Sequence, residues 1–76
     1  MKRHWTGHQP ATCNLCSQDL IETMFNAYVP EYRSWGFVCK ECAPRSYIQL
    51  GVGKGQKYEW DKDEQKWELK EGGSHA

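Results

Sequence analysis

The sequence contains no long hydrophobic run. Its 76 residues have a mean hydropathy of -0.90, and no stretch approaches the roughly 20 apolar residues that a transmembrane helix needs. Lys2 and Arg3 precede polar and aromatic residues, not the apolar segment of a secretory signal peptide. The sequence therefore predicts a cytoplasmic protein that does not bind membranes and whose cysteines stay reduced.

The chain also has no net charge. Ten basic and ten acidic residues cancel, so the chain lacks the basic excess of a strong nonspecific nucleic-acid binder. The charges are unevenly placed, however, because residues 43–58 carry three basic residues and no acid, whereas residues 59–71 carry six acids against three lysines. Any nucleic-acid surface must be local, and its predicted phosphate contacts are Lys2, Arg3, Arg45, Lys54 and Lys57.

No catalytic pattern is present in the sequence. The His-x-Glu and Pro-Cys-x-x-Cys signature of zinc deaminases is missing. Gly51, Gly53 and Gly55 match neither the dinucleotide-binding nor the P-loop pattern. We therefore expect no catalytic residues and no enzymatic activity. The glycine-rich segment is interpreted as a flexible connector, with a phosphate-binding backbone nest as its alternative.

The sequence does contain one set of residues that can bind a metal ion, its four cysteines. A chain of this length buries too little apolar surface to be very stable without a cross-link or a metal. The cysteines form two C-x2-C pairs 22 residues apart, a spacing typical of a four-cysteine zinc site: Cys13, Cys16, Cys39 and Cys42. The sequence thus predicts one structural Zn²⁺, whose closed thiolate shell leaves no position for a substrate.

Two other uses of the cysteines remain open. A redox dithiol would need a thioredoxin-like βαβ context around one pair, and this chain is short and has two pairs. A rubredoxin-like iron site also uses four thiolates. Ser17 and Ala43 follow the pairs, where rubredoxins usually have proline and glycine, so zinc is favoured over iron.

The residues around the cysteines predict a hairpin, a helix and a second hairpin. Two segments are rich in β-branched and aromatic residues and are predicted to form paired strands, namely Ile21–Val29 and Arg33–Cys39. Pro44 and Gly51 suit the first position and the C-terminal cap of a two-turn helix. We expect a loop over Gly51–Lys57, and a hairpin around Asp61–Lys66. The predicted organisation is an N-terminal arm (1–10), one zinc-binding domain (11–71) and a flexible tail (72–76).

This order of elements resembles the treble-clef zinc finger over roughly residues 11–51, since the last two cysteines would open a helix. The pattern from Trp35 through Cys42 and the Gly51–Glu59 run is similar to small zinc-finger proteins of bacteriophages and prophages. The resemblance implies a small α+β zinc-stabilised domain, treble-clef-like and followed by a C-terminal β-hairpin. It also implies an accessory protein that acts on host nucleic-acid machinery or on a host enzyme.

The predicted function is a non-catalytic zinc-binding module that serves as a nucleic-acid-associated accessory or regulatory factor. DNA and RNA are both possible partners, and the oligomeric state is open. The alternative is a protein–protein adaptor or inhibitor of a host or regulatory enzyme that uses exposed aromatics and the acidic C-terminal hairpin. His4 and His8 are expected on the surface. The aromatics that could stack on bases, if they are exposed, are Trp5, Tyr32 and Tyr47, and the expected core aromatics are Trp35, Phe37, Tyr58, Trp60 and Trp67.

Overall fold

A computed structural model describes residues 3–72 as a four-stranded antiparallel sheet. The strand order across the sheet is β2-β1-β3-β4, so β1 and β3 are central. A 3-10 turn follows β2 at Ala43–Arg45. The strands are β1 (Thr23–Val29), β2 (Ser34–Cys39), β3 (Gly55–Asp61) and β4 (Lys66–Glu71).

Both predicted hairpins are present. β1 and β2 pair with Tyr28 opposite Trp35, and the turn between them includes Arg33 at a positive φ of 51°. β3 and β4 pair with Trp60 opposite Trp67. The aromatic residues of the second hairpin are two positions apart because every second side chain of a strand lies on the same face of the sheet.

The predicted α+β, treble-clef-like fold is wrong. Within residues 3–72 there is no α-helix, and the segment after Cys42 forms only the three-residue 3-10 turn. Tyr47 has a φ of +55°, a left-handed conformation that cannot continue a right-handed helix. The Ser46 hydroxyl also donates to the carbonyl oxygen of Cys42 at 2.8 Å. A two-turn helix would bury too little apolar surface to offset the cost of forcing Tyr47 into a helical conformation.

The loop predicted over Gly51–Lys57 is wrong in its second half, because β3 begins at Gly55. Gly51 and Gly55 exchange two backbone hydrogen bonds of 2.9 and 3.1 Å, which close a tight turn. A Cβ at Gly55 would clash with the carbonyl oxygen of Gln49 and lie 2.7 Å from the Cβ of Ala27. Glycine is needed here for close backbone approach to β1, and this gain outweighs its entropic cost in a strand.

The core is built from two neighbouring clusters that meet at the cysteines. The larger cluster contains Cys13, Leu20, Met24, Cys39, Tyr58 and Trp67. The smaller cluster contains Val29, Val38 and Ala43. Leu15 and Cys42 pack against both. No helix within residues 3–72 is long and apolar enough to cross a membrane.

Residues 3–5 run antiparallel to the outer edge of β4. His4 pairs with Glu68, and the Trp5 N–H donates to the carbonyl oxygen of Trp67 at 2.8 Å. The Trp5 ring packs edge-on against Phe37 and Tyr58, with centroids 5.3 and 5.6 Å apart. Trp5 therefore belongs to the aromatics that support the core, because its ring packs against the main core cluster.

His4 is half-buried and makes a polar contact with the second hairpin. Its Nε2 lies 3.0 Å from Oδ2 of the buried Asp61, so His4 is not the surface residue that was expected. The other carboxylate oxygen, Oδ1, accepts hydrogen bonds from the backbone N–H groups of Asp63 and Glu64. Asp61 thereby orders the β3–β4 turn and ties it to the first residues of the chain.

Candidate metal centre

The first cysteine pair lies on a tight knuckle before β1. The Leu15 N–H points at Cys13 Sγ at 3.3 Å, and the Ser17 N–H donates to the carbonyl oxygen of Cys13 at 2.9 Å. Ser17 has a φ of +65°, which reverses the chain within one turn. A two-residue gap therefore suffices to turn both sulfurs of the pair in the same direction.

The second pair joins the end of β2 to the 3-10 turn. Cys39 is the last residue of β2. Cys42 precedes the turn, and its carbonyl oxygen accepts a hydrogen bond from the N–H of Arg45 at 3.0 Å. The knuckle is fixed to β2 at one position: Asn14 N–H donates to the Phe37 carbonyl oxygen at 2.8 Å, and Phe37 N–H donates to Asn14 Oδ1 at 2.7 Å. The sheet edge thus holds both pairs in one place.

The four sulfur atoms form a cluster of the size that one metal ion requires. All four Sγ atoms lie within 4.8 Å of one another, and Cys16 Sγ and Cys39 Sγ are 3.7 Å apart. A tetrahedral zinc ion with Zn–S bonds of about 2.3 Å places its sulfurs about 3.8 Å apart. The same separation is far longer than a disulfide bond of about 2.05 Å. The four cysteines could therefore hold a metal ion.

The electrostatics of the thiol cluster favour a bound cation. Burial alone raises the pKa of Cys13, but hydrogen bonds from backbone N–H groups, that of Cys39 foremost, together lower it to about 7. Burial and hydrogen bonds with the other thiols raise the pKa of Cys42 to about 12. The N–H of Gln18 favours the Cys16 thiolate, yet desolvation and the neighbouring thiols leave the pKa of Cys16 raised. Several thiolates can coexist here only if a cation compensates their charge.

The predicted phosphate-contacting residues lie at different places on the sheet. Lys2 lies outside the described residues. Arg3 lies beside β4, where its carbonyl oxygen accepts from the Leu69 N–H at 2.7 Å. Lys57 is on β3, with its Nζ 3.8 Å from a carboxylate oxygen of Glu59. Arg45 is exposed at the end of the 3-10 turn.

Lys54 lies at the opposite end of β1 from the β3–β4 turn and lines a small groove of about 130 Å³ together with Tyr28 and Tyr47. Its carbonyl oxygen accepts from the Tyr28 N–H at 3.1 Å. The Tyr47 side chain is 82% exposed, two positions after Arg45. Of the predicted basic residues, Lys54 therefore shares a groove with exposed aromatic rings, and Arg45 is close to Tyr47 in the sequence.

The division of the aromatic residues between core and surface was only partly predicted. Tyr58 and Trp67 are buried and Phe37 packs against them, as expected. Trp35 and Trp60 were expected in the core, but they are 47% and 39% exposed. The positive φ of Tyr47, which turns its ring into solvent, has no signal in the sequence.

Comparison with known proteins adds no family to this description. No protein family, curated protein or solved structure matches the chain. The cysteine cluster supports the metal-binding part of the predicted resemblance, and no match supports a bacteriophage family.

Proposed function

We propose that the chain is a non-catalytic zinc-binding module in which Cys13, Cys16, Cys39 and Cys42 bind one structural Zn²⁺. The separation of the sulfur atoms carries this proposal, because it matches a tetrahedral four-thiolate shell. Such a shell is closed, so the ion would have no coordination position at which to activate water. The role of the ion would then be to hold the knuckle against β2.

The metal can be identified without knowing the partner. Native mass spectrometry of protein purified without added metal should show one zinc ion per chain, and Cys39→Ala should abolish it. Cobalt substitution should give the visible absorption of a tetrahedral cobalt thiolate. An iron-loaded, red protein would instead support the rubredoxin-like alternative, and protein that binds neither ion would contradict the proposal.

For the module as a whole we propose a nucleic-acid-associated role, with single-stranded DNA or RNA as the ligand. Tyr28 and Tyr47 are exposed and line one groove with Lys54, and Arg45 is nearby in the chain. Stacking of bases on aromatic rings next to a cation that contacts phosphate is the usual means of binding single strands without strong sequence preference. The chain as a whole is neutral, so we expect weak and local binding.

Fluorescence anisotropy with a labelled oligothymidine or oligouridine tests this role. Tyr47→Asn removes the ring but tolerates a positive φ, and it should weaken binding by about 1–3 kcal/mol, the range for loss of one stacked base. Lys54→Ala should weaken binding and reduce the slope of log affinity against log salt by about 0.7. Lys62→Ala, an exposed lysine in the other hairpin, is the matched control. Equal loss in Lys62→Ala, or no binding at low salt, would contradict the role.

The alternative is a protein-binding module, an adaptor or inhibitor of a host enzyme. It is favoured by the acidic residues of 59–71 other than Asp61, which is buried and bonded to His4. Capture of partners from a bacterial lysate with and without nuclease distinguishes the two roles. Partners that disappear after nuclease treatment support nucleic-acid binding, and one protein retained in near-equal amount supports the alternative. The cytoplasmic location and the bacteriophage origin stay predictions.

A further inference from the structure

A second surface lies at the opposite end of the sheet from Lys54. It is a groove of about 590 Å³ whose described walls are mainly apolar, with Trp60, Trp67, Leu20 and Ile21 as the large side chains. This volume is within the range of ordinary ligand sites. Ile21 is 62% exposed beside the half-exposed Trp60, so two large hydrophobic residues face water together. Neither the metal site nor the proposed nucleic-acid groove uses these residues.

The groove has an acidic rim. Asp19 and Glu22 line it, and no basic side chain does so among residues 3–72. Asp19 is exposed, and its side chain makes no hydrogen bond or ion pair within residues 3–72. Glu22 has only a long, solvent-exposed contact of 3.9 Å with Lys40 Nζ. The carboxylates are therefore available to a cation brought by another molecule.

The two tryptophans give the groove an electron-rich wall. The centroids of the Trp60 and Trp67 rings are 5.2 Å apart, at 74°, and Trp67 is held in place by donation of its Nε1–H to the Pro10 carbonyl oxygen at 3.3 Å. The buried Trp67 thus supports the exposed Trp60 ring. An exposed indole next to carboxylates attracts cations, and guanidinium groups in particular, because they stack on the ring while they donate to a carboxylate.

The chain beside the groove is strained. Glu22 has a φ of +62°, and the Thr23 N–H donates to the carbonyl oxygen of Ile21, two residues earlier. This is the rarer, higher-energy form of a γ-turn. The Trp60 N–H holds the turn in place by donating to the Glu22 carbonyl oxygen at 2.9 Å. The turn keeps Ile21 and Glu22 beside Trp60.

We propose that this groove binds an arginine side chain of a partner protein segment. The guanidinium lies on the Trp60 ring and pairs with Asp19 or Glu22, while the methylene groups of the arginine and its neighbours cover Ile21. The charge of the rim selects a basic segment over an acidic one. This site is independent of the proposed nucleic-acid role, because Trp60 and the Tyr28 groove are separated by about 20 Å of β1 at 3.3 Å per residue.

The probe is a capped seven-residue peptide of alternating glycine and arginine, titrated into the metal-loaded, ¹⁵N-labelled protein. We expect saturable shifts of the Trp60 indole N–H signal and of the Ile21 and Glu22 amides. The lysine version of the peptide should bind several-fold more weakly, since an ammonium ion cannot stack or form a bidentate pair. The glutamate version should not bind.

Two variants and a matched control decide the outcome. Trp60→Ala should weaken arginine-peptide binding about threefold to thirtyfold, the range for loss of one cation–π contact. Asp19→Lys removes no side-chain hydrogen bond or ion pair within residues 3–72 and should weaken binding at least as much as Trp60→Ala. It keeps the test valid if the Trp60→Ala protein does not fold. Trp35→Ala removes a similarly exposed indole at the other end of β1 and should leave the affinity unchanged.

Three results would overturn the proposal: no shifts at millimolar peptide, equal binding of the arginine and glutamate peptides, or equal loss of affinity in Trp35→Ala and Trp60→Ala. Oligonucleotide binding is measured on the same variants. Loss of oligonucleotide binding by Tyr47→Asn, with the peptide affinity intact, shows that the two sites succeed or fail separately.

Discussion

Removal of the metal should unfold the whole domain. A structural zinc ion contributes about 10–16 kcal/mol in small zinc-finger peptides near pH 7, whereas a whole small domain is stable by only about 5–15 kcal/mol. Here Cys13 and Cys39 belong to the same cluster as Met24, so the site and the main core are one structure. Loss of the ion releases the knuckle and opens that core. We therefore expect no stable metal-free form.

Circular dichroism and tryptophan fluorescence, with and without a strong zinc chelator, measure this effect. The chelated protein should lose its β-sheet signal without a cooperative melt, and zinc should restore both. Cys39→Ala and Cys16→Ala should behave like the chelated protein at any zinc concentration. Ser17→Ala changes a neighbour of the site that is not a ligand, so its melt should remain cooperative and dependent on zinc.

One result would refute this reasoning. If mass spectrometry shows that the zinc has left, yet the melt stays cooperative with an unchanged midpoint, the ion is not structural. The core clusters alone would then be sufficient for folding. A modest fall in the midpoint would mean that the ion contributes far less than in zinc-finger peptides.

Three further perturbations test other parts of the structure. Gly55→Ala should lower the free energy of unfolding by about 1–3 kcal/mol or more, as overpacking does. In Gly53→Ala the new methyl group meets open space, so this variant should lose only about 1 kcal/mol, through the positive φ of residue 53. Urea titration measures both losses, and equal losses would contradict the predicted clash at Gly55. Zinc binding near pH 7 should release at least two protons per ion, from Cys16 and Cys42. A cysteine thiol of an unfolded chain has a pKa of about 8.5, the folded cluster raises the pKa of these two further, and zinc needs thiolates, so both protons are lost whether or not the metal-free chain is folded. Affinity should accordingly fall as the pH is lowered, and a pH-indicator titration that finds no released protons would contradict ligation by these thiolates. Asp61→Ala should lower the melting temperature by roughly 4–16 °C, because it loses about 1–2 kcal/mol of hydrogen bonding. Asp61→Asn should lower the melting temperature less. Equal melting temperatures for these two variants and the unmodified protein would contradict the ordering role of the carboxylate.

The cysteine site and the hairpins could be predicted because their signals are local. Two C-x2-C pairs fix the chemistry of a site from spacing alone, and Trp60 and Trp67 fall on one face because strand periodicity is two. Neither inference requires knowledge of the distant parts of the chain. The same applies to the turn at Asp61–Lys66, whose polar residues separate the aromatic pairs.

The incorrect predictions depend on contacts that are distant in the sequence. Trp5 is taken into the core because residues 3–5 pair with β4, more than 60 positions later, and Trp35 is left exposed near the other end of the sheet. The helix after Cys42 was predicted from Pro44, but the local pattern does not report that Tyr47 adopts a positive φ. Gly55 was assigned to a loop because its fit against Ala27 becomes visible only once the strands are paired.

The position of the thiol cluster also bears on aggregation. β2 is an edge strand, and its aromatic, uncharged sequence is of the kind that adds to the edges of other sheets. Asn14, on the knuckle, occupies the hydrogen-bonding groups of Phe37 in the middle of that edge, and the cysteines hold the knuckle there. A chain without its metal, which we expect to be unfolded, would leave this aromatic segment uncovered and free to associate with its own copies. With the knuckle held over this edge, the backbone groups of Phe37 are already bonded to Asn14 and are closed to an added strand.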